Sequence, residues 1–273
     1  MISIVLSDTT IEAIIKSMKE EDIGYRKWFS PDSKCIFLLV HGLGTYSGRW
    51  DNLADFFLQK RISSYAVDLP KLERIHNYYD EILRVRGIAA GDNPGKKIFL
   101  VGESLGGLAS FLLIAGHPGL FEGLVCISPA FASRKKLRFL ESIKMLAPIF
   151  YNPSKQVKLP FDSSMCTRDI DFRKKLDNDP HEYRTSSVRL VFDILTAQIR
   201  ARTALKKVQM PVLFLVSGKD MIVNPEVSRK VFDHLKTKDK AFLEFPDAYH
   251  ALSIDLDKEK VFEELLIWVE KRL

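Results

Sequence analysis

Residues 97–115 read KIFLVGESLGGLASFLLIA, and this stretch decides the fold. Its first five residues are mostly apolar and predict a buried strand, while the apolar residues after the glycines predict a helix through Ala115. Between them, Gly102-Glu103-Ser104-Leu105-Gly106-Gly107 places glycines where a strand-to-helix turn is too tight for side chains. The pattern predicts that Ser104 lies at the top of a sheet and at a helix N-terminus, where partial positive charge favours an oxyanion.

The remaining sequence alternates short apolar runs with helical patterns, as is typical of a mainly parallel α/β sheet. Further strands are predicted at 34–40, 64–67, 124–128, 212–217 and 241–245, and further helices at 47–61, 75–86, 226–235 and 258–271. The run at 34–40 is apolar almost throughout, as expected for a central strand that is covered on both faces. We therefore predict an α/β core made of residues 1–128 and 211–273, with helices flanking a mostly parallel sheet.

Residues 129–210 interrupt this alternation between two late strands. They show helical patterns and turns but no strand pattern, and the segment is longer than an ordinary crossover needs. We expect a helical cap, or lid, seated above the sheet; the alternative is ordinary crossover structure. A predicted helix from Phe131 to Phe150 carries an apolar stripe, from which we select substrate-binding residues: Phe131, Ile143, Leu146 and Ile149.

A serine hydroxyl is a weak nucleophile and needs a histidine base, which in turn needs an orienting carboxylate. Behind a serine turn of this kind, the acid and the base follow in that order, each on a loop after a strand. Asp220 follows one late predicted strand and His250 follows the next. Asp247 is the rival acid, but it lies only three residues before His250 and better suits a role in shaping that turn. We predict Ser104, Asp220 and His250 as the catalytic residues.

Hydrolysis through a serine also needs backbone N–H donors for the developing negative charge. One is expected from Leu105, the residue after the nucleophile. The second is assigned to Leu43 in the loop His41-Gly42-Leu43-Gly44, whose glycines let the backbone approach a substrate. His41 precedes the glycine and is expected to hold the loop rather than to act as a base.

These motifs together resemble the monoacylglycerol lipase and lysophospholipase branch of the α/β-hydrolases, over nearly the whole chain from Tyr25 onward. The resembling segments are Val40-His41-Gly42-Leu43-Gly44, Ser47-Gly48-Arg49-Trp50, the serine turn, Ser217-Gly218-Lys219-Asp220, Tyr249-His250, and the cap phrases Cys166-Thr167-Arg168-Asp169 and Asn178-Asp179-Pro180. The resemblance implies the α/β-hydrolase fold, a helical cap over an apolar acyl tunnel, and the release of glycerol-like leaving groups from a polar end. A lipid-like ester is the implied substrate.

The chain departs from that family after Asp68. Where the family normally has a glycine-rich loop, this chain reads Asp68-Leu69-Pro70-Lys71 and enters the next predicted helix almost directly. The predicted catalytic residues are unaffected, but the rim of the site on this side is expected to differ.

Composition bounds the partners and the compartment. Three scattered cysteines favour a reducing compartment, and no leader or long apolar segment is apparent, so we expect a cytoplasmic protein. The net charge of +6 comes without any nucleic-acid-binding motif. Residues 128–210 hold 17 Lys and Arg against 8 Asp and Glu, so a basic cap that contacts anionic membranes peripherally is one reading and a merely solvated surface is the other.

Three readings of function remain open. The leading one is a serine esterase or lipase acting on single-chain esters through an acyl-enzyme. The second is a peptidase or amidase on the same fold, which needs an acidic patch for a free amine and is disfavoured by the basic cap. The third is a non-catalytic binding protein, which typically lacks a catalytic residue. No dinucleotide fingerprint or metal-ligand cluster is present in the sequence, so we expect no cofactor and no metal.

Overall fold

The computed structural model describes residues 24–69, 74–135 and 144–273. Its main sheet has seven strands in the order β1-β3-β2-β4-β5-β8-β9. All neighbours pair in parallel except β1, which is antiparallel to β3, so the predicted mostly parallel sheet is confirmed. The strands are β1 (Tyr25–Trp28), β2 (Cys35–Val40), β3 (Ile62–Val67), β4 (Ile98–Glu103), β5 (Gly123–Ile127), β8 (Val212–Ser217) and β9 (Lys240–Phe245).

Successive strand residues point to opposite sides of this sheet, and the apolar residues on both sides are covered by helices. On β4, Leu100 joins the core on one face, whereas Phe99 and Val101 join the core on the other. The first face is covered by α2 (Ile75–Asp92) and α3 (Leu105–Gly116), and the second by α1 (Asp51–Gln59) and α8 (Lys258–Glu270). The remaining core helix, α7 (Pro225–His234), follows β8. Central strands buried on both faces explain the apolar runs in the sequence.

Two core elements differ from the predictions. Strand β1 has no apolar run, because exposed Arg26 and Lys27 occupy its centre at the edge of the sheet. Helix α2 continues to Asp92, beyond the predicted end at residue 86. Ahead of it, Asp68 accepts hydrogen bonds from the backbone N–H and the hydroxyl of Ser47, at 2.9 and 3.0 Å, and so fixes the end of β3 to the loop after β2.

Among the described residues between β5 and β8, the helices described from end to end are α4 (Ser163–Cys166), α5 (Ile170–Asn178) and α6 (Val188–Ala204), and residues 144–146 are also helical. The same segment also contains an antiparallel ribbon of β6 (Gln156–Lys158) and β7 (Thr185–Ser187). The prediction of an entirely helical cap is therefore wrong in this respect, since three-residue strands are too short to leave a period-two pattern. The helix predicted from Phe131 to Phe150 does not cover that whole range: residues 131–135 are not helical, residues 144–146 are helical, and Ala147–Phe150 form a 3-10 turn, while residues 136–143 lie outside the described residues.

Within the described ranges, no helix is both long enough and apolar enough to cross a membrane.

Candidate active site

Ser104 lies between β4 and α3 in a strained backbone conformation. Its φ of 56° and ψ of −118° place it among the few non-glycine residues of the described chain with positive φ. Such conformations persist when neighbouring structure holds them, and they cluster at functional sites. Here the Ser104 N–H donates to the Ile127 carbonyl at 2.9 Å, and its own carbonyl accepts from Ala130 N at 2.9 Å. The turn predicted from the sequence is thus anchored to β5 and to the segment that follows it.

Two glycines allow the turn to pack this closely. A Cβ atom on Gly106 would lie 2.1 Å from the Val40 carbonyl oxygen, and one on Gly102 would lie 2.5 Å from the Gly106 carbonyl oxygen. Both distances are too short for a real side chain. Glycine at these positions therefore lets α3 approach the sheet and presents the Ser104 side chain at the carboxyl end of β4.

Asp220 and His250 are brought together from the loops that follow β8 and β9. The Oδ2 atom of Asp220 lies 2.7 Å from Nδ1 of His250, and both side chains are buried. The other carboxylate oxygen accepts hydrogen bonds from the backbone N–H groups of Ile222 and Val223, each at 2.8 Å. These bonds orient the carboxylate before any substrate binds.

The electrostatic surroundings favour the charged form of His250. Burial alone lowers the pKa of this imidazole, but the charge and hydrogen bond of Asp220 outweigh burial, and Glu103 acts in the same direction. The pKa of His250 therefore lies above its usual value. An imidazole stabilised in its protonated form by a buried carboxylate is suited to accept a proton from a hydroxyl group.

The two residues that compete with this arrangement are occupied elsewhere. Asp247 is exposed and pairs with Lys219 at 2.7 Å. His41 is buried beneath the loop after β2: its Nε2 accepts from the Leu69 N–H at 3.1 Å, and its Nδ1 lies 2.8 Å from the Gly42 carbonyl oxygen. Burial lowers the pKa of His41, which suits a neutral imidazole that holds the loop.

The two predicted oxyanion donors lie beside Ser104. Leu105 is the first residue of α3, and Leu43 follows Gly42, whose backbone approaches the serine so closely that an added Cβ would lie 3.1 Å from the Ser104 Cβ. Leu43 and Leu105 line the same cavity as Ser104 and His250. Their roles as N–H donors to a substrate remain predictions.

The cavity that contains Ser104 has a volume of about 460 Å³ and is mostly apolar. Its apolar wall comes from the residue after β6, from α6 and from the loop after β8: Leu159, Val191, Ile194, Leu195, Ile222 and Val223. Its polar groups include Thr45, Arg49, Glu103 and Arg184 beside Ser104 and His250. A polar end next to an apolar wall fits a molecule with one reactive polar group and one hydrocarbon chain.

The sequence assigned this apolar wall to other residues. Phe131 is 1% exposed and packs between Phe111 and Phe214, with ring centroids 5.1 and 5.7 Å away, so the structure places it in the core and outside the described cavity lining. Leu146 and Ile149 are half-buried but are not part of the described cavity lining. Ile143 lies outside the described residues.

Charged side chains fasten one part of the cap to the loops that carry the site. Arg49, just beyond the predicted oxyanion loop, forms a buried two-point ion pair with Glu182 of the cap, at 2.6 and 2.9 Å. Arg168 of the cap donates through Nε to Asp255 Oδ1 at 2.7 Å, and Asp255 follows His250 by five residues. The cap segment 166–184 therefore contacts both the loop after β2 and the loop after β9.

Comparison with protein families and with individual proteins identifies the relatives of this chain. Residues 31–257 match the model of the family described as Serine aminopeptidase, S33. The chain belongs to the serine aminopeptidase S33 family. Among relatives of this S33 hydrolase, the human monoglyceride lipase is 28% identical, covering 88% of this chain and 83% of the relative. Phospholipase YtpA of Bacillus subtilis is 24% identical, covering 86% of this chain and 95% of the relative.

A solved structure of a monoacylglycerol lipase also resembles this chain. The crystal structure of the Paleococcus ferrophilus monoacylglycerol lipase is 27% identical, covers 92% of this chain and 100% of its own, and superposes with a TM-score of 0.84. The resemblance to the monoacylglycerol lipase branch of the α/β-hydrolases is thereby confirmed. This S33 family member is a carboxylic ester hydrolase with the α/β-hydrolase fold.

Proposed function

We propose that the chain hydrolyses single-chain lipid esters, with monoacylglycerols as the leading substrate class, through Ser104, His250 and Asp220. One observation carries the proposal: Ser104 and His250, the latter bonded to Asp220 at 2.7 Å, face the same cavity, whose wall is mostly apolar. Monoglyceride and monoacylglycerol lipases among the relatives support it.

The reaction follows from these roles. His250 takes the proton of the Ser104 hydroxyl as its oxygen attacks the ester carbonyl, and Asp220 stabilises the imidazolium that forms. The N–H groups of Leu43 and Leu105 stabilise the oxyanion. His250 then returns the proton to the departing alcohol, which leaves an acyl group on Ser104. Water, deprotonated by the same histidine, releases the fatty acid and restores the serine.

An ester fits the cavity better than a peptide with a free amino terminus. Such a peptide needs a carboxylate to bind its ammonium group, and Glu103 is the carboxylate in the described lining. That carboxylate already accepts two hydrogen bonds from Ser253, at 3.1 and 2.9 Å. Lys158 also lines the cavity and disfavours an ammonium group, whereas the charges of Arg49 and Arg184 are compensated by Glu182. The family description as an aminopeptidase makes the amide substrate a necessary comparison in the test.

We further propose that the cap makes peripheral contact with membranes, and that this hydrolase is cytoplasmic because its three scattered cysteines favour a reducing compartment. The side chains of Phe150, Tyr151 and Ile199 are 92, 74 and 64% exposed, and the 3-10 turn that ends at Phe150 packs on α6. Exposed apolar groups on a basic cap suit an anionic lipid surface. Sedimentation with anionic and neutral vesicles tests this contact, and equal binding to both would remove its electrostatic part.

The decisive experiment combines labelling with a substrate panel. A fluorophosphonate should label the wild-type chain. It should also label the control variant Ser110→Ala, which removes a buried hydroxyl without a hydrogen-bond partner from α3, the helix that follows Ser104. Labelling should be lost in Ser104→Ala, with a fall in kcat of about 10⁶. Monoacylglycerols and p-nitrophenyl esters should be cleaved, and an aminoacyl anilide should not. Labelling that persists in Ser104→Ala, or preferential cleavage of the anilide, would contradict the proposal.

A further inference from the structure

Glu103 is the last residue of β4 and directly precedes Ser104. Because side chains alternate between the two faces of a strand, Glu103 points to the same face as Phe99 and Val101. That face is covered by the chain after β9, since Ala248 and Leu252 belong to the same core cluster as Val101. The alternation of the strand therefore directs an acidic side chain towards the loop that carries His250.

The Glu103 carboxylate is fully engaged with that loop. Its Oε1 accepts the Ser253 N–H at 3.1 Å, and its Oε2 accepts the Ser253 hydroxyl at 2.9 Å. Glu103 is 6% exposed and Ser253 is fully buried. Buried charges persist in proteins when hydrogen bonds compensate the loss of water, and hydrogen bonds to an ionised acceptor are the stronger kind.

These two hydrogen bonds connect the segment that carries Ser104 to the segment that carries His250, and the reaction requires these two side chains to keep a fixed relative position. Glu103 is adjacent to Ser104, and Ser253 follows His250 by three residues. No backbone ladder joins these two positions, because β4 and β9 are separated in the sheet by β5 and β8. We infer that Glu103 is a positioning residue, which fixes the His250 loop against the Ser104 turn through its two hydrogen bonds with Ser253.

The charge of Glu103 acts alongside two other groups that face His250. Asp220 favours the imidazolium, as Glu103 does, whereas Arg49 disfavours it. Burial raises the pKa of Glu103 itself, and the Ser253 bonds and the charges of His250 and Arg49 act against that rise. Removing the negative charge of Glu103 while keeping its shape should therefore lower the pKa of His250.

The inference rests on the proposed roles of Ser104 and His250, and it is tested with reagents that do not require the natural substrate. The variants are Glu103→Gln, Glu103→Ala and Ser253→Ala, with Glu81→Gln as the control, because Glu81 pairs with Arg84 on α2, which covers the other face of the sheet. The readouts are kcat and KM for p-nitrophenyl butyrate, and the rate of fluorophosphonate inactivation as a function of pH.

Glu103→Ala and Ser253→Ala should lower kcat by about 10- to 100-fold, the range for residues that orient a functional side chain, with KM changed less than about twofold. Glu103→Gln can still bond Ser253, so it should lose less activity but move the acidic limb of both pH profiles to lower pH. Glu81→Gln should leave both unchanged. If Glu103→Ala does not fold, the other two variants decide.

An acidic limb that stays at the wild-type pH in Glu103→Gln, or a wild-type kcat in Ser253→Ala, overturns the inference. Its failure is distinct from failure of the proposed function, which shows instead as activity and labelling that survive in Ser104→Ala.

Discussion

Oδ2 of Asp220 lies 2.7 Å from Nδ1 of His250, although Asp247 is much closer to that histidine in the sequence. In the loop after β8, the N–H groups of Ile222 and Val223 donate hydrogen bonds to Oδ1 of Asp220 and orient its carboxylate. Asp247 instead points to solvent and pairs with Lys219. The geometry thus separates two acids that sequence spacing left in competition.

Replacing Asp220 should therefore have a much larger effect on turnover than replacing Asp247. Asp220→Asn leaves the imidazole in the wrong tautomer and should lower kcat by about 10⁴. Asp247→Asn is the matched control, and it should change kcat by less than about twofold because its carboxylate lies on the surface. Steady-state kinetics with p-nitrophenyl butyrate measure both, and a reversed ranking would reassign the acid.

The apolar wall on α6 should set the preference for acyl-chain length. Val191→Ser and Leu195→Ser each place a hydroxyl in the lining, whereas Ile199→Ser alters an exposed position of the same helix. Each buried CH₂ of the substrate contributes about 0.8 kcal/mol, so the lining variants should lower kcat/KM for C8–C12 esters by about tenfold and spare the acetate ester. Ile199→Ser should leave the profile unchanged.

A panel of p-nitrophenyl esters from C2 to C12 gives this profile. An equal fall at all chain lengths in the lining variants would show that these residues support the fold and do not bind the acyl chain. The chain would then be better described as a general short-chain esterase.

The Arg49–Glu182 pair should matter far more for stability than an exposed pair on the same cap. Its side chains are 7 and 2% exposed, compared with 70 and 85% for Lys174 and Asp171. Glu182→Gln leaves a buried guanidinium without its counter-charge and should lower the free energy of unfolding by about 3–5 kcal/mol. Asp171→Asn should cost at most about 1 kcal/mol. Urea unfolding compares the two variants, and similar losses would contradict this assignment.

The activity should fall on the acidic side at a pH above the usual pKa of histidine. His250 acts as a base only when it is neutral, and its pKa is raised because the Asp220 charge and hydrogen bond outweigh burial. As the pH decreases through that raised pKa, the fraction of neutral imidazole and hence kcat/KM decrease together. The midpoint of the acidic limb should therefore exceed about 6.5. A midpoint below that value, measured with p-nitrophenyl butyrate between pH 5 and 9, would contradict the raised pKa.

The parts predicted from the sequence are those with a local cause. Strands buried on both faces leave apolar runs, and the turn at Ser104 needs glycines at fixed positions, so both are visible without a structure. Strand β1 was missed because its exposed Arg26 and Lys27 remove the apolar pattern.

The parts that could not be predicted depend on contacts between distant positions. Glu103 and Ser253 are 150 residues apart, and neither residue type indicates a contact with the other. Phe131 shows a related problem, since an apolar residue can face either a core or a cavity and the sequence pattern is the same. The structure places it between Phe111 and Phe214, while α6 supplies the wall instead.

The bonds between cap segment 166–184 and the core constrain how this enzyme can be recombined with its relatives. A graft that replaces the whole cap treats the cap as an independent module. Here such a graft would remove Glu182 from Arg49 and Arg168 from Asp255, which would leave two buried charges in the core without partners. A viable chimera must therefore exchange each ion pair as a unit, or cut the chain inside the cap rather than at its ends.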